Sequence, residues 1–216
     1  MIKSAVTIAL VPQIKTGPWI FWENLEESMG KAAALGFDGI ELFTASGNAI
    51  GTDVLKKLLG KYKLQLAAVG TGAGKVIHGL TLTDTNNAIR EKAIAFIKEM
   101  MEFGALFGAP AIIGSMQGNA VLGETQDNSI GLLAEALQVL DQHATSLGVK
   151  LIYEPLNRYE TNLINRLDDA AAFIESNTFN NVQLLADLFH MNIEEADPAA
   201  SIQKSRQHIG HVHFAD

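Results

Sequence analysis

The chain contains no cysteine, which excludes disulfides and thiolate metal sites. It has no basic excess either: 16 lysines and arginines stand against 24 aspartates and glutamates, for a formal net charge of −8. Nucleic-acid binding normally needs a basic patch, so this balance argues against a nucleic-acid partner. No apolar run approaches the ~18 residues that a membrane-spanning helix requires. The opening stretch, Met1 to Leu10, carries a lysine and an apolar segment but is short and lacks a small-residue cleavage site. It reads as a first strand and not as a signal peptide, and a cytoplasmic protein is the expectation. What remains is a chain of 216 residues, 48% hydrophobic. That is enough to bury a sizeable core, and residues 1–216 are expected to form one domain.

Helix-period and strand-like segments alternate along this chain, and the joints between them recur. Leu35-Gly36-Phe37 precedes Gly39-Ile40-Glu41-Leu42-Phe43, Leu59-Gly60 precedes Leu64 to Val69, Phe107-Gly108 precedes Ala111-Ile112-Ile113, and Leu147-Gly148 precedes Lys150 to Tyr153. Each glycine fits the left-handed position that ends a helix. Ile130, Leu133, Leu137, Leu140, Ala144 and Leu147 fall on one helical face, as do Ile89, Ala93, Phe96, Ile97 and Met100. Thr52-Asp53 and Asn165 are candidate N-caps for two further helices. The pattern predicts seven strands, near 4–10, 38–43, 64–69, 110–114, 149–154, 182–187 and 209–215, with six helices between them. Such βα alternation implies a parallel sheet.

Three of these strands end in residues that can hold a divalent metal. Leu151-Ile152-Tyr153 runs into Glu154, Leu184-Leu185-Ala186 into Asp187, and the last strand carries His211 and His213. Parallel strands that deliver polar groups at one edge bring them to a common site. Two carboxylates with an imidazole suit Mn, Mg or Co, with Zn as a further option. Each motif alone has a plainer explanation. Glu154-Pro155-Leu156-Asn157-Arg158-Tyr159-Glu160 could be a charged surface loop, Asp187 or His190 a helix cap or satisfied polar group, and His-x-His a structural pair. Three at successive strand ends point to a metal centre. Convergence there suits a closed (β/α)8 barrel better than an open doubly wound sheet. A barrel usually needs about 250 residues, so a C-terminal α/β/α portion is expected beyond strand seven.

The chain resembles the xylose-isomerase-like TIM-barrel superfamily of sugar isomerases and epimerases, and within it the ketose 3-epimerases of the D-tagatose and D-psicose group. The resemblance covers the chain in element order and is sharpest from Glu154 to His213. It implies Glu154, Asp187 and His213 as metal ligands, Glu154 also as the catalytic acid/base, and Glu160 and His190 as substrate contacts. It further implies a fourth ligand, a glutamate on strand eight, and an arginine, both past Asp216. A small sugar would be the partner, with a homo-oligomer left open. The same barrel and ligands could serve an inosose-type dehydratase. An endonuclease IV-like phosphodiesterase should show more histidines and a more basic face.

Other features carry alternatives. Gly70-Thr71-Gly72-Ala73-Gly74 resembles a phosphate loop, but the next clear helix starts only near Thr85, so a flexible pocket wall is the better reading. Trp19, Phe21 and Trp22 could stack on a sugar or pack in the core. Glu41 could point into the site or serve a cap or core network. His78, His143 and His208 read as structural or solvent-facing.

Overall fold

The computed structural model describes residues 2–14, 19–22, 24–120, 123 and 125–215. Its strands are β1 (Ala5–Ala9), β2 (Phe21–Trp22), β3 (Gly39–Phe43), β4 (Gln65–Gly70), β5 (Ala111–Ile113), β6 (Leu151–Tyr153), β7 (Val182–Asp187) and β8 (Ile209–His213). They form one sheet in the order β2-β1-β3-β4-β5-β6-β7-β8, and every pairing is parallel. All seven expected strands are present. The addition is β2, whose Phe21 and Trp22 pair with Ile8 and Ala9.

The sheet is curled. Five strand steps separate β3 from β8, which in a flat sheet would hold them about 24 Å apart. Instead the Glu41 carboxylate on β3 lies 3.0 Å from His211 and 3.2 Å from His213 on β8. This is most of a (β/α)8 barrel, open between β8 and β2 among the described residues. Ala68, Ile112, Ile152 and Leu185, one from each of β4 to β7, form a small buried cluster separate from the main core. They correspond to the side-chain layers that fill such barrels. The larger core lies between the sheet and its helices.

The helices are α1 (Leu25–Ala34), α2 (Thr52–Tyr62), α3 (Ala73–His78), α4 (Asn87–Ala105), α5 (Gln126–Leu147), α6 (Leu167–Asn177), α7 (Leu188–Glu194) and α8 (Pro198–Ser205). The expected apolar faces of α4 and α5 are buried at Ala93, Phe96, Ile97 and Met100, and at Leu133, Leu137, Leu140 and Ala144. Two helices exceed the expected six. One is the short α3. The other arises because Asp197 caps a new helix through Ala200 N–H, with Pro198 in its first turn, so α7 and α8 are separate. Among the described residues, no helix is long and apolar enough to cross a membrane.

Some local expectations are corrected. Gly36, Gly108 and Gly148 have positive φ, but Gly60 lies inside α2 and the left-handed residue there is Lys63. Gly51, not Thr52 or Asp53, is the N-cap of α2. Asn165 does not cap α6, because its amide donates to the carbonyls of Leu156 and Thr161. Leu167 N–H at the start of α6 is met instead by Glu195 Oε1, 2.8 Å away.

Candidate metal centre

Glu154 follows directly on β6, and its backbone N–H extends the ladder by donating to Ile113 O at 3.0 Å. A buried relay holds this backbone. Tyr153 donates its hydroxyl to Gln117 Oε1 at 2.6 Å, and Gln117 Nε2 donates to the carbonyls of Gly114 and Glu154, each at 3.0 Å. The Glu154 carboxylate lies over Gly114, where a Cβ would sit 2.6 Å from Oε2. Glycine at 114 therefore makes room for the carboxylate, a role invisible in the local sequence.

Asp187 ends β7 and caps α7. Its Oδ1 accepts from Phe189 N–H at 2.8 Å, which leaves Oδ2 to face His213 Nδ1 at 3.2 Å. Asp187 and His213 are partners in the β7–β8 register, after a shift that takes up Gly210. His213 Nδ1 also lies 3.7 Å from Glu154 Oε1. Glu154, Asp187 and His213 therefore come together at the C-terminal edge of the sheet. On the other side of the same ring, Nε2 faces Glu41.

His190, in the first turn of α7, places Nε2 3.7 Å from Glu154 Oε1. Its Nδ1 lies 3.2 Å from the backbone N–H of Asn157. A backbone N–H can only donate, so Nδ1 accepts and the ring proton sits on Nε2, toward Glu154. Glu154, Asp187 and His190 offer ligand atoms within 4.8 Å of one another. That tautomer, however, leaves His190 no lone pair facing the carboxylates. Glu160 Oε1 accepts from Asn157 Nδ2 at 3.2 Å and lies 3.8 Å from His190 Nδ1. Asn157 thus links the two residues expected to touch substrate. Arg158 fastens this loop to α7 through a two-pronged pairing with Glu194, at 2.9 and 2.8 Å.

The electrostatics follow from burial. Burial pushes Glu154 above the usual carboxylate range despite the neighbouring His213. Burial would also raise Glu41 and Asp187, but hydrogen bonds with imidazoles outweigh it, holding Glu41 at about 2 and Asp187 below its ordinary value. For His213 burial works against the charged form. Its hydrogen bonds with Asp187, Glu154 and Glu41 nevertheless lift it to about 12. Three buried carboxylates surrounding one imidazole make this edge of the sheet strongly attractive to positive charge.

The features set aside in the sequence have structural explanations. A Cβ on Gly70 or Gly72 would meet the Phe43 ring at 2.8 Å, and one on Gly74 would meet Met116 Sδ at 2.6 Å. Thr71 donates its hydroxyl to Ile112 O. Close packing accounts for this glycine-rich loop, which turns straight into α3. Trp19 packs on Phe43 with ring centroids 5.2 Å apart, and Trp22 Nε1 donates to Trp19 O. His143 and His208 face Glu102 and Glu175, and His78 packs edge-on against Phe96.

A family model described as xylose isomerase-like TIM barrel matches residues 29–216. A 3-dehydro-D-guloside 4-epimerase of Escherichia coli (strain K12) is 41% identical over 90 residues, covering 42% of this chain and 34% of that protein. A probable ketose 3-epimerase of Synechocystis sp. is 27% identical over 215 residues, covering 94% of this chain and 72% of that protein. The solved apo structure of a 3-keto-D-glucoside 4-epimerase from E. coli has a TM-score of 0.80 at 26% identity, covering 99% of this chain and 79% of that one.

Proposed function

This chain belongs to the xylose isomerase-like TIM barrel family, and from that premise we propose that it is a metal-dependent sugar epimerase or isomerase. Its substrate would be a ketose, a ketose phosphate or a keto-glycoside, all of which carry a C–H bond next to a ketone. The observation that carries this reading is the approach of Glu154 and Asp187 to Nδ1 of His213, at 3.7 and 3.2 Å.

The donor set fits a divalent ion. It offers two carboxylates and an imidazole, and among the described residues no lysine or arginine pairs with Glu41, Glu154 or Asp187. Glu154, Asp187 and His213 would hold the ion, and Mn, Mg or Co suit such a mixed oxygen and nitrogen set. A divalent cation there would stabilise negative charge developing on the sugar's oxygens.

The protein's own groups supply the rest. A buried carboxylate within reach of the reacting carbon is placed for general-base work. Glu154 therefore takes the proton from the carbon beside the carbonyl. His190, with its proton on Nε2, donates to a substrate oxygen beside Glu154. Glu160, partly exposed and steadied by Asn157, accepts from a sugar hydroxyl and limits how the substrate can sit. Return of the proton to the opposite face needs a second acid, which the family resemblance assigns to a strand after β8.

The test is incubation in deuterated water with ketoses, ketose phosphates, keto-glycosides and an inosose, with and without Mn. Product and recovered sugar are read by mass spectrometry. The expected result is Mn-dependent deuterium at the carbon beside the ketone, together with the epimer. A dehydrated product would move the assignment to a lyase on the same barrel. Absence of exchange with every sugar would overturn it.

A further inference from the structure

We propose that Glu41 is a positioning residue for the metal centre. Its carboxylate grips Nε2 of His213 and so presents Nδ1 of that ring to Glu154 and Asp187. This rests on the reading of Glu154, Asp187 and His213 as ligands. Glu41 stands on the far side of the barrel interior from them, on β3, and is buried. Its Oε1 lies 3.4 Å from the hydroxyl of Thr7, its register partner on β1. Its Oε2 lies 3.0 Å from His211 Nε2 and 3.2 Å from His213 Nε2.

An imidazole has two ends, and the hydrogen bond at one decides what the other can do. An ionised carboxylate can only accept. Both ring nitrogens of His213 face carboxylates, but Glu154 and Asp187 can share a cation with Nδ1 while Glu41 stays hydrogen-bonded to Nε2–H. On metal binding Nε2 therefore keeps its proton and Nδ1 offers the lone pair. The link is built with care on both strands. The β3–β4 register shifts next to Glu41, and the β7–β8 register shifts at Gly210, where a Cβ would collide with the Gln183 side chain. Such irregularities re-aim side chains beside functional sites. His211, on the same face of β8, steadies Glu41 from the other direction.

Glu41, His211 and His213 also bring their own ligand atoms within 4.8 Å of one another. A separate cation site on that side is the weaker reading. It would have one carboxylate where the other side has two, and it would consume the nitrogen whose proton orients the ring. One neutral imidazole ligates through one nitrogen.

The experiment compares the full chain with Glu41→Ala and Glu41→Gln. Calorimetric titration with manganese chloride gives affinity, and nitrogen-15 NMR of labelled histidines in the metal-free protein reads the Nε2–H of His213. Loss of an outer hydrogen-bond partner typically weakens metal binding by about 10–100-fold. That loss is expected for Glu41→Ala, with faster solvent exchange of the Nε2 proton. Glu41→Gln, whose amide oxygen still accepts, should recover part of both. Where Glu41→Ala fails to fold, Glu41→Met fills the volume without an acceptor and takes its place. Affinity within about twofold of wild type, with the Nε2–H signal unchanged, overturns the proposal. A wild-type chain that binds no manganese would sink the metal reading instead. The NMR comparison would then still decide whether Glu41 sets the ring.

Discussion

Two clusters of charge in this fold are balanced in different ways. At the start of α6, Arg166 lies 3.1 Å from Asp168 and 3.3 Å from Glu195, and Lys204 reaches Asp168 at 2.9 Å. These carboxylates face the guanidinium of Arg166 and the ammonium of Lys204. Glu195 also accepts from Leu167 N–H and Ser201 Oγ, so the cluster ties α6 to α8. Around His213, by contrast, Glu41, Glu154 and Asp187 are buried, and among the described residues their charged partners are imidazoles. Taking an ion out of water costs several kcal/mol unless it is compensated. The first cluster carries its compensation permanently and acts as a fastening. The second has a deficit of fixed positive charge, which under the proposed function makes it a receptor for a divalent ion.

The sharpest way to break this contrast is at Glu154. Glu154→Gln leaves one oxygen for an ion but removes the group that can accept a proton. Turnover is expected to fall by about 10²–10⁴-fold, with manganese content reduced far less. Asp187→Asn should act chiefly on metal binding. Asparagine still caps α7 well, so the variant should fold, with some stability lost because His213 loses a charged partner, while metal binding drops. Steady-state kinetics beside metal analysis of each variant separates the two roles. Normal turnover by Glu154→Gln would remove it as the base.

A second, intermediate effect concerns stability. If the buried cluster lacks a cation, supplying one should stabilise the fold by mass action. Free manganese at 100 times its dissociation constant contributes about 2.7 kcal/mol. In a chain of this length that corresponds to a Tm rise of about 5–11 °C. Scanning calorimetry with manganese and then with a chelator should show the rise and its reversal, and Asp187→Asn should largely abolish it. An equal rise in Asp187→Asn would locate the cation elsewhere.

Much of this was legible in the sequence because the strands are short apolar runs and their C-terminal residues are polar against that background. The same contrast marks Glu154, Asp187 and the pair His211 and His213, from which only the family resemblance singles out His213. The βα alternation implies a parallel sheet, and the converging polar ends favour the barrel over an open sheet. What escaped was anything that depends on three-dimensional closure. Glu41 is named in the sequence as open between the site and a cap or core network, but its partners on β8 are not. It meets them only where the sheet curls and residues 170 positions apart become neighbours. Gly114 and Gln117 serve Glu154 from the adjacent strand's loop, and no periodicity marks them. Asn165 looks like a cap until the loop after β6 claims its amide. The Gly70–Gly74 run looked functional because a glycine can signal either a bound ligand or a crowding neighbour, and only the position of Phe43 and Met116 distinguishes them.

The smallest expected effect tests the fastening cluster. The Lys204 hydrogen bond, followed by that of Arg166, holds Asp168 at about 2, against an ordinary value of 3.8. Its position in the first turn of α6 adds a favourable helix-dipole contribution. A depressed carboxylate stabilises the fold above its unfolded-state value and loses that contribution as pH falls through its folded-state value. The relevant window therefore runs from about pH 4 down to about pH 2. The side chain is partly exposed, so screening limits the contribution to about 1 kcal/mol or less. Asp168→Asn should be less stable than wild type by that amount at pH 7, with the gap closing as pH falls through the window and shrinking in 1 M salt. Urea unfolding at pH 7, 4 and 2.5 checks the sign. A gap that stays constant with pH would mean that Asp168 acts through capping geometry and not through its charge. Manganese affinity should be unchanged in this variant. A balanced cluster at the start of α6 has no reason to report on a cation bound at the ends of β6, β7 and β8.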